Sequence, residues 1–138
     1  MLTFYSNKDI KANNSNVKLQ IWDISGSERH SCIIDMLINK VDCALICYDC
    51  TDQNSFEDTD TYVNIYEKYC EIEMPVFLVA TKIDIENRVV TRQQGELLAK
   101  QYSFEYFETS AKENININEL FETAVKRILD SRNENDAE

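Results

Sequence analysis

Glycine is scarce in this sequence, which has 138 residues but only two glycines, Gly26 and Gly95. Average usage would give roughly ten in a chain of this length. A dinucleotide-binding G-x-G-x-x-G motif needs three glycines close together, and a Walker A loop, G-x-x-x-x-G-K-[ST], needs two with Lys after the second. Gly26 precedes Ser27 and Gly95 precedes Glu96. These residues therefore contain no glycine-rich loop that could hold a phosphate.

Positive charge is also scarce, because 14 Lys and Arg against 25 Asp and Glu give a formal net charge of −11. A strongly acidic protein is repelled by the phosphates of nucleic acids and by anionic membrane surfaces. The sequence has no basic patch with interleaved aromatic residues, so we expect no nucleic-acid partner. With 43% hydrophobic and 28% charged residues, the composition is typical of one globular domain.

Long apolar segments and targeting signals are missing as well. The longest apolar runs, such as residues 41–48, are far shorter than the roughly 20 residues that span a bilayer. The first residues lack the charged start and apolar stretch of a secretory signal, and the last four contain no cysteine for prenylation. We expect a cytoplasmic protein without a lipid anchor in this chain, which associates with membranes only through partners or a missing tail.

Five cysteines are present, an odd number that favours free thiols in a protein without a secretory signal. Cys47 and Cys50 form a C-x-x-C pair, which could join His30 and Cys32 in a redox or zinc site. No second C-x-x-C pair accompanies it. We therefore interpret Cys43 and Cys47 as small apolar residues in a buried strand.

Two segments near the start predict an antiparallel pair of strands. Val17, Leu19 and Ile21 alternate with polar residues, as in a half-buried strand. Residues 2–10 are weakly strand-like, and the polar residues 13–16 between the two segments predict a turn.

Three largely apolar segments further along, of which only the second is continuous, predict strands that are buried on both faces of a parallel sheet. They cover residues 41–48, 76–80 and 104–107. Two helical patterns lie between these runs: one covers residues 55–70, and the other begins at Thr91 with a capping box.

The clearest helical pattern comes last. Asn116 is placed to cap it, and an apolar stripe then runs from Ile117 to Leu129. We expect the polar residues after Asp130 to be frayed. The whole alternation predicts an α/β domain with a mostly parallel sheet over residues 1–131 and a polar tail over residues 132–138.

In such sheets, ligands bind beyond the carboxyl ends of the strands. After one strand, Asp23 could hold Mg²⁺ through water, and Gly26 would let a backbone N–H approach a phosphate. After another, Asp84 could accept hydrogen bonds from a guanine edge, while the stem of Lys82 covers the base. Residues 107–112 offer backbone N–H groups for a guanine carbonyl oxygen. Each segment alone is also compatible with ordinary turn chemistry.

In this order and on these strand ends, the segments resemble the Ras-like small GTPases and, among them, the Rab group. Residues 22–29, W-D-I-S-G-S-E-R, are similar to the family's W-D-T-A-G-Q-E-R. Residues 81–84, T-K-I-D, are similar to N-K-x-D, and residues 108–112, E-T-S-A-K, match without change. Residues 48–56 are similar to Y-D-x-T-x-x-x-S-F. The resemblance covers about residues 17–129.

The resemblance implies a P-loop NTPase fold with helices on both faces of a mostly parallel sheet, and a GTP-binding switch in vesicle traffic. It implies GTP or GDP with Mg²⁺ as ligands, and effector or regulator proteins that bind through residues 23–36. The nucleotide-binding residues that it implies are Asp23, Gly26, Thr81, Lys82, Asp84, Ser110, Ala111 and Lys112, with Asp23 also an indirect Mg²⁺ ligand.

The sequence also departs from the family pattern. The family's first strand, Walker A loop and first helix have no counterpart, so we expect a domain truncated at its N-terminus. Ser27 stands where the family's Gln positions the attacking water, so no catalytic residue is assigned. Thr81 replaces Asn. We expect the strands that end at Asp23 and Asp49 either to pair directly or to expose unpaired edges, which predicts marginal stability.

Three hypotheses follow from these observations. The first is a Rab-type GTPase whose coding region is incomplete here, so that this chain alone neither binds nor hydrolyses GTP. The second is a pseudo-GTPase that binds proteins and has no nucleotide role. The third is a cysteine-based metal or redox protein.

Overall fold

The computed structural model of the chain describes residues 3–24 and 31–137. Strands and helices alternate along most of them, which confirms the predicted α/β class. In chain order the elements are β1 (Thr3–Ala12), β2 (Ser15–Ile24), α1 (Ser31–Ile38), β3 (Ala44–Asp49), α2 (Gln53–Tyr69), β4 (Val76–Thr81), α3 (Arg92–Gln101), β5 (Glu105–Glu108) and α4 (Ile117–Asp136).

The five strands form two separate sheets. β1 and β2 pair as an antiparallel hairpin, as predicted, and β4 lies between β3 and β5 in a parallel sheet. Of the two arrangements that we expected, direct pairing of β2 with β3 does not occur, so within the described residues each of these strands has one open edge. The hairpin instead packs through β1 on α4.

The hairpin turn consists of Asn13 and Asn14, both in the left-handed region with φ of 50° and 61°. A two-residue turn with positive φ at both positions matches the twist of the strands, and Asn tolerates this conformation well. The strands therefore pair up to Ala12 and Ser15, beyond the predicted end of the first strand. At this end of the hairpin, Ile10 and Ala12 are buried against Val125 of α4.

β4 is the central strand, and it is buried on both faces as its apolar run predicted. Phe77 and Val79 pack against α4, in a cluster with Leu120 and Ala124. The alternate residues of the strand pack on the opposite side against α2 and α3. That second cluster includes Val76, Leu78, Ala80, Val63 and Ala99.

The prediction that β3 is buried on both faces was wrong, because only one of its faces is fully buried. Ile46 and Tyr48 are buried, whereas Cys47 between them is exposed and Cys43 is half-buried. The interpretation of Cys47 as a buried apolar residue was therefore wrong. Cys47 is exposed because β3 lies at the edge of the sheet, whereas the core that includes α4 is centred on β4.

The helices follow the predicted pattern with three differences. Thr91 and Gln94 form the expected capping box of α3. Asn116 precedes α4, but its side chain does not cap the helix and instead donates to the backbone oxygen of Glu108 at 2.8 Å. The polar residues after Asp130 continue α4 to Asp136, because extending an existing helix costs little. α1 was not predicted. No helix of the described segments has the length and apolar character to cross a bilayer.

The open edge of β3 predicts self-association, because unpaired strand edges recruit other strands. We expect Cys47→Lys to reduce concentration-dependent association, since a charged side chain disfavours edge-to-edge pairing. Light scattering under reducing conditions measures this. Gln93→Lys, an exposed position on α3, is the matched control for the change in net charge. Equal effects of the two variants would contradict a role for the β3 edge.

Gly95 supplies a second prediction, because the Tyr106 ring and the Tyr48 hydroxyl lie where its Cβ would stand. At an open helical site, Gly→Ala stabilises by about 1 kcal/mol. Here we expect Gly95→Ala to lower the free energy of unfolding by about 1–3 kcal/mol through overpacking. Urea unfolding measures the change, and Gln93→Ala on the exposed side of α3 should alter it by less than about 0.5 kcal/mol. Stabilisation by Gly95→Ala would show that the helix can move away from both tyrosines.

Candidate functional site

The candidate site forms where β4 and β5 end, since these strands are parallel and neighbouring. Backbone hydrogen bonds continue past the strands and hold the two following segments side by side. The N–H of Thr109 donates to Ala80 at 2.8 Å, and the N–H of Ile83 donates to Thr109 at 3.2 Å. The structure thus brings together the predicted residues 81–84 and 109–112.

Ser110 and Asp84 join these segments through their side chains. The hydroxyl of Ser110, which is fully buried, donates to Oδ1 of Asp84 at 2.7 Å. The same hydroxyl oxygen accepts from the N–H of Glu113 at 3.1 Å. Asp84 itself is half-buried. Its carboxylate is therefore held in one orientation at the surface, with a second oxygen that can accept a hydrogen bond from a guanine edge.

Lys82 reaches back to the end of β3. Its Nζ is 2.7 Å from Oδ2 of Asp49, and its backbone has a positive φ of 61°. The other carboxylate oxygen, Oδ1, accepts from the N–H and the hydroxyl of Thr51 at 2.8 and 2.6 Å. This ion pair fixes the ammonium group at one end of the lysine stem that we expect to cover the base.

Opposing influences set the charge state of the Asp49–Lys82 pair. Burial acts to raise the pKa of Asp49, but the hydrogen bonds from Lys82 and Thr51 together hold it below its ordinary value. The pKa of Lys82 is raised, chiefly by its hydrogen bond to Asp49. Both groups are therefore charged at neutral pH, which keeps the pair intact.

The other predicted nucleotide-binding residues at the ends of β4 and β5 differ from one another in their contacts. The hydroxyl of Thr81 donates to the backbone oxygen of Tyr48 at 3.0 Å, so it ties β4 to β3. Ala111 and Lys112 are exposed in the turn before α4. In this arrangement Thr81 supports the strand ends, while Ala111 and Lys112 remain accessible to a ligand.

Of the predicted phosphate and metal residues, only Asp23 belongs to the described segments. Asp23 is exposed near the end of β2, in the other sheet. Gly26 and Ser27 lie outside the described residues, as does His30. Among the residues that are described, no three His, Cys, Asp or Glu side chains are grouped so that they could hold a metal ion. The described side chains therefore offer no cluster of this kind for a metal ion, and we derive no metal-dependent step.

A network of polar side chains, which was not predicted from the sequence, surrounds Glu108 at the end of β5. Glu108 accepts from the guanidinium of Arg88 and, at 2.8 Å, from the hydroxyl of Tyr106. The Tyr106 hydroxyl is also 3.1 Å from that of Tyr48, and Arg88 donates to the backbone oxygen of Val90 at 2.6 Å. The network fixes β5 immediately before Ser110. Only the opposite charges of Arg88 and Glu108 could have suggested it from sequence.

The charge of Glu108 depends on this network. Burial acts to raise its pKa, but the hydrogen bonds from Arg88 and Tyr106 outweigh burial and hold the pKa below the ordinary 4.5. A carboxyl whose pKa is lowered by folding stabilises the fold above its unfolded pKa. That contribution is lost as the pH falls through the folded value.

We therefore expect Glu108→Gln to reduce the free energy of unfolding by about 1–3 kcal/mol at pH 7, because the Arg88 guanidinium loses its charged partner. The deficit should narrow as the pH falls from about 4.5 through the lower pKa of Glu108 in the folded chain, because protonated Glu108 no longer carries the charge that Gln lacks. Urea midpoints at several pH values measure it, with the exposed Glu122→Gln on α4 as control. A deficit that stays constant down to acidic pH would contradict the electrostatic origin.

Comparison with known protein sequences gives a matching family profile and several relatives. The sequence profile described as "Ras family" matches residues 3–130. The Ras-related protein RabO of Dictyostelium discoideum is 38% identical over 143 residues, which cover 93% of this chain and 66% of RabO.

Two further relatives give similar figures. The Ras-related protein SEC4 of Saccharomyces cerevisiae is 35% identical over 128 residues, covering 93% of this chain and 60% of SEC4. The GTP-binding protein Rab-3D of Rattus norvegicus is 38% identical over 128 residues, covering 92% and 58%. The chain thus spans between 58 and 66% of the length of these three relatives.

Proposed function

Because this chain belongs to the Ras family of small GTPases, and within it to the Rab group, we propose that it carries the base-binding part of a GTP-dependent switch in vesicle and membrane traffic. GTP or GDP is the proposed ligand of the complete switch, with Mg²⁺ as its metal. Effectors or regulators are proposed to bind through residues 23–36.

One observation carries the proposal: the buried hydroxyl of Ser110 donates to Asp84 at 2.7 Å and so joins the T-K-I-D and E-T-S-A-K segments. A carboxylate fixed in this way matches the two adjacent N–H donors of a guanine edge. An adenine edge would place an acceptor nitrogen beside a carboxylate oxygen, which is repulsive. This chemistry favours guanine over adenine.

We propose further that the 138 residues alone neither bind GTP tightly nor hydrolyse it. Phosphate binding in this class relies on backbone amides and a Lys of a glycine-rich loop, together with Mg²⁺, and the sequence contains no such loop. The base residues offer only a few exposed hydrogen bonds of about 1 kcal/mol net each. That is less than the several kcal/mol needed to immobilise a nucleotide.

A second candidate function is a pseudo-GTPase that binds proteins without a nucleotide role. Ser27 favours it, because a serine hydroxyl is too short to position water where the family's Gln does. Under this alternative, Asp84 and Ser110 serve only to close the ends of β4 and β5.

A guanosine titration of the purified chain separates these proposals. We expect the amide resonances of Ser110 and Lys112 to shift with guanosine at millimolar concentration and to remain unchanged with adenosine. We also expect no binding of fluorescent GDP with a Kd below about 1 μM, since the base contacts alone are weak.

Asp84→Asn tests the assigned carboxylate, because it presents a donor to the donors of guanine and should abolish the guanosine shifts. Asp130→Asn on α4 is the matched control and should leave them intact. Absence of guanosine shifts in the unsubstituted chain would favour the pseudo-GTPase. Sub-micromolar GDP binding would overturn the proposal that the chain alone lacks useful nucleotide affinity.

A further inference from the structure

An open groove of about 440 Å³ lies between α2 and α3, and its described lining residues include none of the candidate nucleotide-binding residues. Its floor is apolar and consists of Phe56, Leu98 and Tyr102, which are all half-buried. The α2 residues along it run from Gln53 to Asn64. At a rise of 1.5 Å per residue this is about 16 Å, or three turns of a helix.

The polar rim of this groove is acidic. Glu57 and Asp60, both exposed and one turn apart on α2, contribute carboxylates, and the other polar lining residues are Asn or Gln. None of the described residues that line the groove is Lys or Arg. On α3, Arg92 is paired with Glu96 at 2.7 Å, and on α2 the ammonium of Lys68 lies 4.9 Å from the centre of the Tyr69 ring. The three cations of α2 and α3, which are Lys68, Arg92 and Lys100, are not among the described residues that line the groove.

An exposed leucine extends the apolar surface beyond the floor. Leu97 is 70% exposed, which is more than any other large apolar side chain of the described residues. It lies one turn from Gln101, which lines the groove, so the two side chains are neighbours on α3. Contiguous apolar surface rimmed by polar residues is typical of a protein-binding site, and Leu97 adds to the apolar surface of the groove.

From this combination we propose that the groove between α2 and α3 binds a basic amphipathic helix of a partner protein. The apolar stripe of that helix lies on Phe56, Leu98 and Leu97, and its Lys or Arg residues face Glu57 and Asp60. A helix suits the groove because two flanking helices offer ridges along its whole length. The charge complementarity selects a basic partner over an acidic one. This proposal is independent of nucleotide binding.

The test uses the full chain and a fluorescent peptide of about 14 residues, with Leu at positions i, i+3, i+4 and i+7 of a helix and Lys elsewhere. Fluorescence anisotropy measures its affinity. We expect the double variant Glu57→Gln with Asp60→Asn to weaken binding about five-fold, and Leu97→Ser to weaken it about three-fold. Raising the salt concentration should weaken binding to the unsubstituted chain and change binding to the double variant less.

Two controls separate docking from general attraction to a protein of net charge −11. The double variant Glu119→Gln with Glu122→Gln removes two exposed carboxylates from α4 and should leave the affinity within about two-fold. A scrambled peptide of the same composition, without an apolar face, should bind at least about ten-fold more weakly. An equal loss in both double variants, or equal binding of the scrambled peptide, would overturn the proposal.

Discussion

The buried central strand β4 determines where the candidate site forms. Its two faces pack against α4 on one side and against α2 and α3 on the other, so it is fixed more completely than its neighbours. Because β5 pairs with it in parallel, the segments that follow both strands emerge at one edge of the sheet. Asp84 and Ser110 then lie within hydrogen-bond distance although they are 26 residues apart in sequence.

β3 and β5 are the two edge strands of the parallel sheet, and side-chain contacts hold each of them in place. Arg88 and Glu108 anchor β5, and Lys82 with Asp49 joins the ends of β4 and β3. The described residues provide no further strand beyond β3 or beyond β5, and the β1–β2 hairpin packs on α4 as a sheet of its own. The proposed function follows this division, because the base residues belong to the parallel sheet while Asp23 belongs to the hairpin.

The sequence predicted those features that depend on local pattern. The apolar run of β4, the capping box at Thr91 and the alternation in β2 are properties of neighbouring residues, and the structure confirmed them. Features that depend on residues far apart in the sequence could not be predicted from such local patterns. Cys47 is exposed because its strand lies at an edge, and Asn116 bonds to Glu108 rather than to its own helix.

The same distinction applies within the candidate site. The motifs identified Lys82, Asp84 and Ser110, but not Asp49 as the partner of Lys82 or Arg88 as the partner of Glu108. Asp49 was noted only as a strand end, and Arg88 lies in a loop without any periodic pattern. Their roles come from the packing of three strands, which brings residues together that are 20 or 33 positions apart in sequence.

Native-state hydrogen exchange tests the central claim most directly, namely that the base-site end rests on a protected β4 while β3 has an open edge. The account predicts that the amides of residues 76–81 exchange most slowly. Along residues 44–49, slowly and rapidly exchanging amides should alternate, because one side of β3 is paired and the other is open. Uniformly slow exchange along β3 would contradict the account, since it would mean that another strand covers this edge.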